Sequence, residues 1–79
     1  MAPKGQPRAS GKAVLKALLK RGYVLKRVRG SHHFLAAPKD VGAYLVTVPV
    51  HGNRDLPPGT MKGIIDECGL DKEEFLTLL

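Results

Sequence analysis

The chain has 79 residues, a formal net charge of +6 and one cysteine, which suits a single small domain. A domain of this size buries only about 60% of the surface its unfolded chain exposes. That disfavours a large internal pocket and favours a shallow site or a polymeric ligand.

Cys68 has no internal disulfide partner and no Cys-x-x-Cys occurs, which argues against structural zinc. No stretch approaches membrane-spanning length, and the N-terminal residues lack an apolar signal core, so a cytoplasmic protein with no membrane partner is expected. The charge is unevenly spread. Residues 1–39 carry ten Lys or Arg and no acid, whereas residues 40–79 carry three basic residues and all seven acids. A cationic field concentrated in one half suits a polyanion, because every neutralised phosphate releases counterions. Nucleic acid is the expected partner.

Residues 1–9, rich in Pro, Gly, Lys and Arg, read as a flexible basic arm before a single domain over 10–79. Ser10 is a suitable N-cap for a helix in which Val14, Leu15, Leu18 and Leu19 form one face and Lys12, Lys16 and Lys20 another. Gly22 stands where a helix of this kind stops. Three runs rich in β-branched and aromatic residues follow, YVLKRVR, HHFLAA and AYLVTVPV, divided by Gly30-Ser31 and by PKDVGA. They predict a three-stranded antiparallel meander. In the first run Leu25 and Val28 fall at opposite parity, which calls for a bulge or a short pairing.

Met61, Ile64, Ile65 and Cys68 then recur at helical spacing up to Gly69, with Cys68 as a small core residue. Asp71 with Glu74 three residues on reads as a capping box for a short last helix that carries Phe75, Leu78 and Leu79. The order is α-β-β-β-α with a short C-terminal helix. Packing the helices on one face of the sheet gives an α+β domain.

His32 and His33 are the residues most suited to chemistry. Successive strand side chains point to opposite faces, so the two cannot both face one ligand. His32 shares parity with Phe34 and Ala36, His33 with Leu35, and parity alone leaves open which is exposed. Three readings compete. In the first, an imidazole works as a general acid or base on RNA, whose 2′-hydroxyl is a built-in nucleophile, while Lys26, Arg27 and Arg29 hold the phosphate. In the second, the chain is a non-catalytic RNA-binding module and the histidines are polar contacts. In the third, His32, His33 and His51 hold a metal, although no carboxylate stands at ligand spacing nearby.

The motifs RGY at 21–23, RGSHH at 29–33, VPVH at 48–51 and LPPGTMKGII at 56–65 occur together in an order that resembles the HicA toxins of type II toxin–antitoxin pairs. The resemblance covers residues 11–79. It implies a fold like the double-stranded RNA-binding domain. It also implies an endoribonuclease, an mRNA interferase that inhibits translation and needs no metal cofactor. The essential histidine would be the one after Gly-Ser, here His32, with Gly30 and Ser31 in the same phosphate-binding motif. His33 varies in the family pattern, and His51 suits a structural cap before GNRD. The implied partners are mRNA as substrate and a HicB antitoxin, which masks the histidine and supplies any DNA binding. Ala36 and Ala37 stand where family members often carry polar residues.

Overall fold

A computed structural model describes residues 8–79; most of the expected arm, residues 1–7, lies outside the described residues. The elements run α1 (Gly11–Arg21), β1 (Val24–Arg29), β2 (His32–Ala36), β3 (Leu45–Pro49), α2 (Pro58–Glu67) and α3 (Lys72–Leu78). The described chain is anchored from Ala9 onward. The Ala9 carbonyl accepts the Leu56 N–H at 2.9 Å, and Ser10 bridges to Asp55.

Helix α1 begins and ends at the expected residues. The Ser10 hydroxyl accepts the Ala13 N–H, and Gly22 closes the helix in the left-handed conformation. Its buried face is turned slightly from the one the apolar residues suggested. Gly11, Val14, Ala17 and Leu18 are buried, Leu15 is half-buried, and Leu19 is 42% exposed. The helix start lies very close to β3: a Cβ added to Gly11 would sit 1.9 Å from the Pro49 carbonyl oxygen. That approach orients Val14 and Leu18 toward the sheet and leaves Leu19 outside.

The three strands form one antiparallel sheet in the order β1-β2-β3, as the turn signals predict. The conflict between Leu25 and Val28 is resolved by a bulge. Leu25 pairs with Leu35 and Arg27 pairs with Phe34, so Lys26 is an extra residue in β1. Beyond the bulge the parity reverses, and Val28, opposite His33, shares a face with Leu25, opposite Leu35.

That face is the one the helices cover, although they cover it unevenly. Leu35, Val46 and Val48 are buried beneath α1 and α2, both of which pack on β3. All six residues of β1 are exposed. Pro58 starts α2 at a position that needs no N–H, and Met61, Ile64 and Cys68 enter the core with Phe75 of α3. The buried Tyr23 hydroxyl donates to the Cys68 carbonyl and ties the start of β1 to the end of α2. Burial raises the Tyr23 pKa above its ordinary value, and it raises that of the Cys68 thiol too.

Asp71 caps α3 by accepting the Glu74 N–H at 2.8 Å. The other half of the expected capping box is replaced. The Glu74 carboxylate accepts instead from Arg21 Nε at 3.0 Å, while Arg21 Nη2 donates to Asp40 at 2.8 Å. Arg21 therefore links α1, the β2–β3 loop and α3. The result is an α+β domain with its helices on one side of the sheet, consistent with the double-stranded RNA-binding type of fold.

Candidate functional site

The opposite face of the sheet carries no helix, and the strand register defines what lies on it. Cross-strand partners share a face. His32 is therefore flanked by Arg29 on β1 and Pro49 on β3, and Phe34 by Arg27 and Thr47. Ala36 stands between Val24 and Leu45 in the third row. His32 is exposed on this face, and the centroid of its ring lies 6.5 Å from that of Phe34. The Arg27 guanidinium sits 5.2 Å from the Phe34 centroid, within cation–π range.

His33 points the other way. It stands between Val28 and Val48 on the helix side, half-buried. Its Nδ1 lies 3.1 Å from the Ser31 carbonyl oxygen. A carbonyl can only accept, so Nδ1 carries the proton and donates. The same carbonyl accepts the Val50 N–H at 2.8 Å, so His33 and β3 together brace the β1–β2 turn.

The turn consists of Gly30 and Ser31. Gly30 has φ +59°, and no other described residue but glycine has positive φ. Glycine with positive φ first and an ordinary residue second is the type II′ hairpin pattern, which suits the twist of the flanking strands. Nothing lies within 4 Å of where a Gly30 Cβ would be, so the outer side of the turn is open to an approaching group.

Lys26, Arg27 and Arg29 are all exposed on β1. The ion pairs formed among the described residues use Arg21 and Lys62 instead, which leaves the three β1 cations available to an external anion. Lys26, at the bulge, joins Arg27, Phe34, Leu45 and Thr47 around a groove of about 310 Å³. Grooves of about 450 and 460 Å³ lie along the helices and contain no histidine.

His51 lies beyond the end of β3, exposed in a turn whose hydrogen bond runs from the Arg54 N–H to the His51 carbonyl. The capping there comes from backbone. The imidazole lines a separate cavity of about 210 Å³ with Pro49, Arg54, Asp55 and Thr60. The three histidines therefore do not converge. Among the described residues no three His, Cys, Asp or Glu side chains gather where they could hold a metal ion. No described helix is long and apolar enough to cross a membrane.

The site that emerges is His32 opposite Arg29, with Gly30 and Ser31 at one end and the Arg27–Phe34 pair at the other. An exposed imidazole beside fixed cations can exchange protons with a bound phosphodiester while its charge is neutralised. The contributions of Thr47 and Leu45 are not evident in the sequence until the pairing of β2 with β3 is known. Their only signal is parity within the third run.

A family model described as "HicA toxin of bacterial toxin-antitoxin" matches residues 11–70, a span that includes all of this site. A search of curated proteins returned no match.

Proposed function

This chain belongs to the HicA family of toxins from toxin–antitoxin systems, and we propose that it acts as an endoribonuclease, an mRNA interferase, with His32 as its acid–base residue. The observation that carries the reading is the isolation of His32. It is the one histidine of the hairpin that projects from the uncovered face, directly opposite Arg29.

The chemistry follows from RNA itself. His32 takes the proton from a 2′-hydroxyl, the O2′–P bond forms and the P–O5′ bond breaks. The departing 5′-oxygen receives a proton from His32 or from water. The products are a 2′,3′-cyclic phosphate and a 5′-hydroxyl. Arg29 and Arg27 offset the negative charge that builds on the phosphoryl oxygens, and the open backbone of Gly30 and Ser31 admits the phosphate. Lys26 extends the cationic track along the strand. No step calls on a metal ion. His33 supports the turn, and His51 stands outside the reacting centre.

The antitoxin partner of the pair is a HicB protein that covers the His32 face, and the toxin works in the cytoplasm on mRNA. The test is incubation of purified protein with single-stranded RNA in excess EDTA, for wild type and His32→Ala, with analysis of the product ends. Cleavage that survives chelation, is lost in the variant and leaves a cyclic or 3′-phosphate supports the reading. Binding without cleavage supports a non-catalytic double-stranded-RNA-binding module. Activity lost to EDTA and restored by a divalent ion supports a metal-dependent enzyme.

A further inference from the structure

Phe34 is the one Phe, Tyr or Trp among the residues of the three strands, and it faces away from the core. Its register partners on the uncovered face are Arg27 and Thr47, so the helices give it no packing. Arg27 stacks on it at 5.2 Å, and Lys26, Leu45 and Thr47 complete a shallow groove of about 310 Å³ around the pair. Leu45 is 74% exposed at the groove's edge. An apolar ring beside two cations, Lys26 and Arg27, has two needs in its ligand: a flat aromatic surface and a negative charge.

A nucleotide supplies both. We propose that the Phe34–Arg27 pair is a stacking site for an unpaired nucleobase, the base next to the phosphate held at His32 and Arg29. The row of Phe34 adjoins the row of His32 on the same face. Same-face neighbours along a strand are about 7 Å apart, and the two rings are separated by 6.5 Å. One nucleotide bridges that gap, with its base on Phe34 and its phosphate beside His32. The sheet strands contain no Asp or Glu, so nothing on them repels the chain as it crosses.

A base within a duplex is already stacked on its neighbours, so this site accepts single strands. Recognition of unpaired RNA by aromatic side chains on an open sheet follows the same physics. The inference rests on the RNA-cleaving reading of the neighbouring His32, and it adds to that site a position for one unpaired base.

The test uses RNA that cannot be cut, so that its outcome does not depend on cleavage. Fully 2′-O-methylated single-stranded oligonucleotides carrying one 2-aminopurine at successive positions are titrated with wild type, Phe34→Ala and Phe34→Trp. Wild type quenches the fluorophore at one position. Phe34→Ala loses that quenching and binds about 5- to 150-fold more weakly, the range expected for one stacked base. Phe34→Trp retains both. An abasic nucleotide at the quenched position weakens wild type to the same degree and has no further effect on Phe34→Ala. The fold of each variant is checked by circular dichroism.

Equal binding by Phe34→Ala and wild type overturns the inference, as does tighter binding of the matching duplex. If cleavage of unmodified RNA nevertheless depends on His32, the catalytic reading stands without the stacking site. If quenching depends on Phe34 and no RNA is cleaved, the stacking site stands and the catalytic reading falls.

Discussion

Arg29 and His32 are direct cross-strand partners on either side of the Gly30–Ser31 turn, and both side chains lie on the face of the sheet that no helix covers. This relationship brings a fixed positive charge to the one exposed imidazole of the hairpin. The two-residue Gly30–Ser31 turn sets that pairing, and the Lys26 bulge lets Leu25 remain on the helix side with Val28 while Arg27 and Arg29 face away from it.

Arg29→Ala is therefore expected to weaken RNA binding without loosening the fold. Neutralising one phosphate contact lowers the slope of log affinity against log salt by about 0.7 for a single strand. A salt titration of binding in wild type and variant measures it. An unchanged slope would remove Arg29 from the phosphate site.

His33 and His32 are expected to separate cleanly. His33→Ala loses the Nδ1 hydrogen bond to the Ser31 carbonyl, and the expected cost is about 0.5–1.5 kcal/mol of stability. Urea denaturation measures the loss, and RNA cleavage at a temperature where the variant is folded should stay near wild type. Cleavage abolished in a folded His33→Ala protein would contradict the assignment of the two faces.

Gly11→Ala tests the junction of α1 and β3. Alanine is the better helix former, so propensity alone favours the change. The new Cβ would meet the Pro49 carbonyl oxygen at 1.9 Å, and backbone on both sides must shift. A net destabilisation of about 1–3 kcal/mol is expected, read from the urea midpoint. Stabilisation would mean that the two elements are farther apart.

Much of this architecture is legible in the sequence, because its signals are local. Ser10, Gly22 and Asp71 mark helix ends through side-chain or backbone chemistry of their own. Gly30-Ser31 specifies a tight turn wherever the strands lie. The remainder depends on contacts between distant residues. Glu74 is placed to complete a capping box, yet Arg21, 53 residues earlier, takes its carboxylate. Leu19 is as apolar as Leu18, yet the approach of Gly11 to Pro49 decides which of them is buried. Parity puts the two histidines on opposite faces, and only the register against Val48 and Pro49 shows which of them is on the uncovered one.

The Arg21 junction predicts how stability responds to acid. Hydrogen bonding to the Arg21 guanidinium holds the Asp40 carboxyl below its ordinary value of 3.8. A carboxyl whose pKa is lower in the folded state stabilises the fold above its unfolded pKa, and that contribution fades as pH falls through the folded value. Asp40→Asn should therefore be less stable than wild type near neutral pH, and the difference should vanish in acid below the aspartate range. Urea midpoints measured across that range check the sign. A gap that persists in acid would assign the effect to something other than ionisation.

The most direct measurement is single-turnover cleavage of a single-stranded RNA by His32→Ala, alongside wild type and His33→Ala, with EDTA present throughout. Removing a general acid–base group typically costs about 10²–10⁴-fold. The expected result is a loss of that size in His32→Ala, with native circular dichroism and RNA affinity close to wild type. Cleavage by folded His32→Ala at the wild-type rate would contradict the assignment of His32 as the residue that moves the proton.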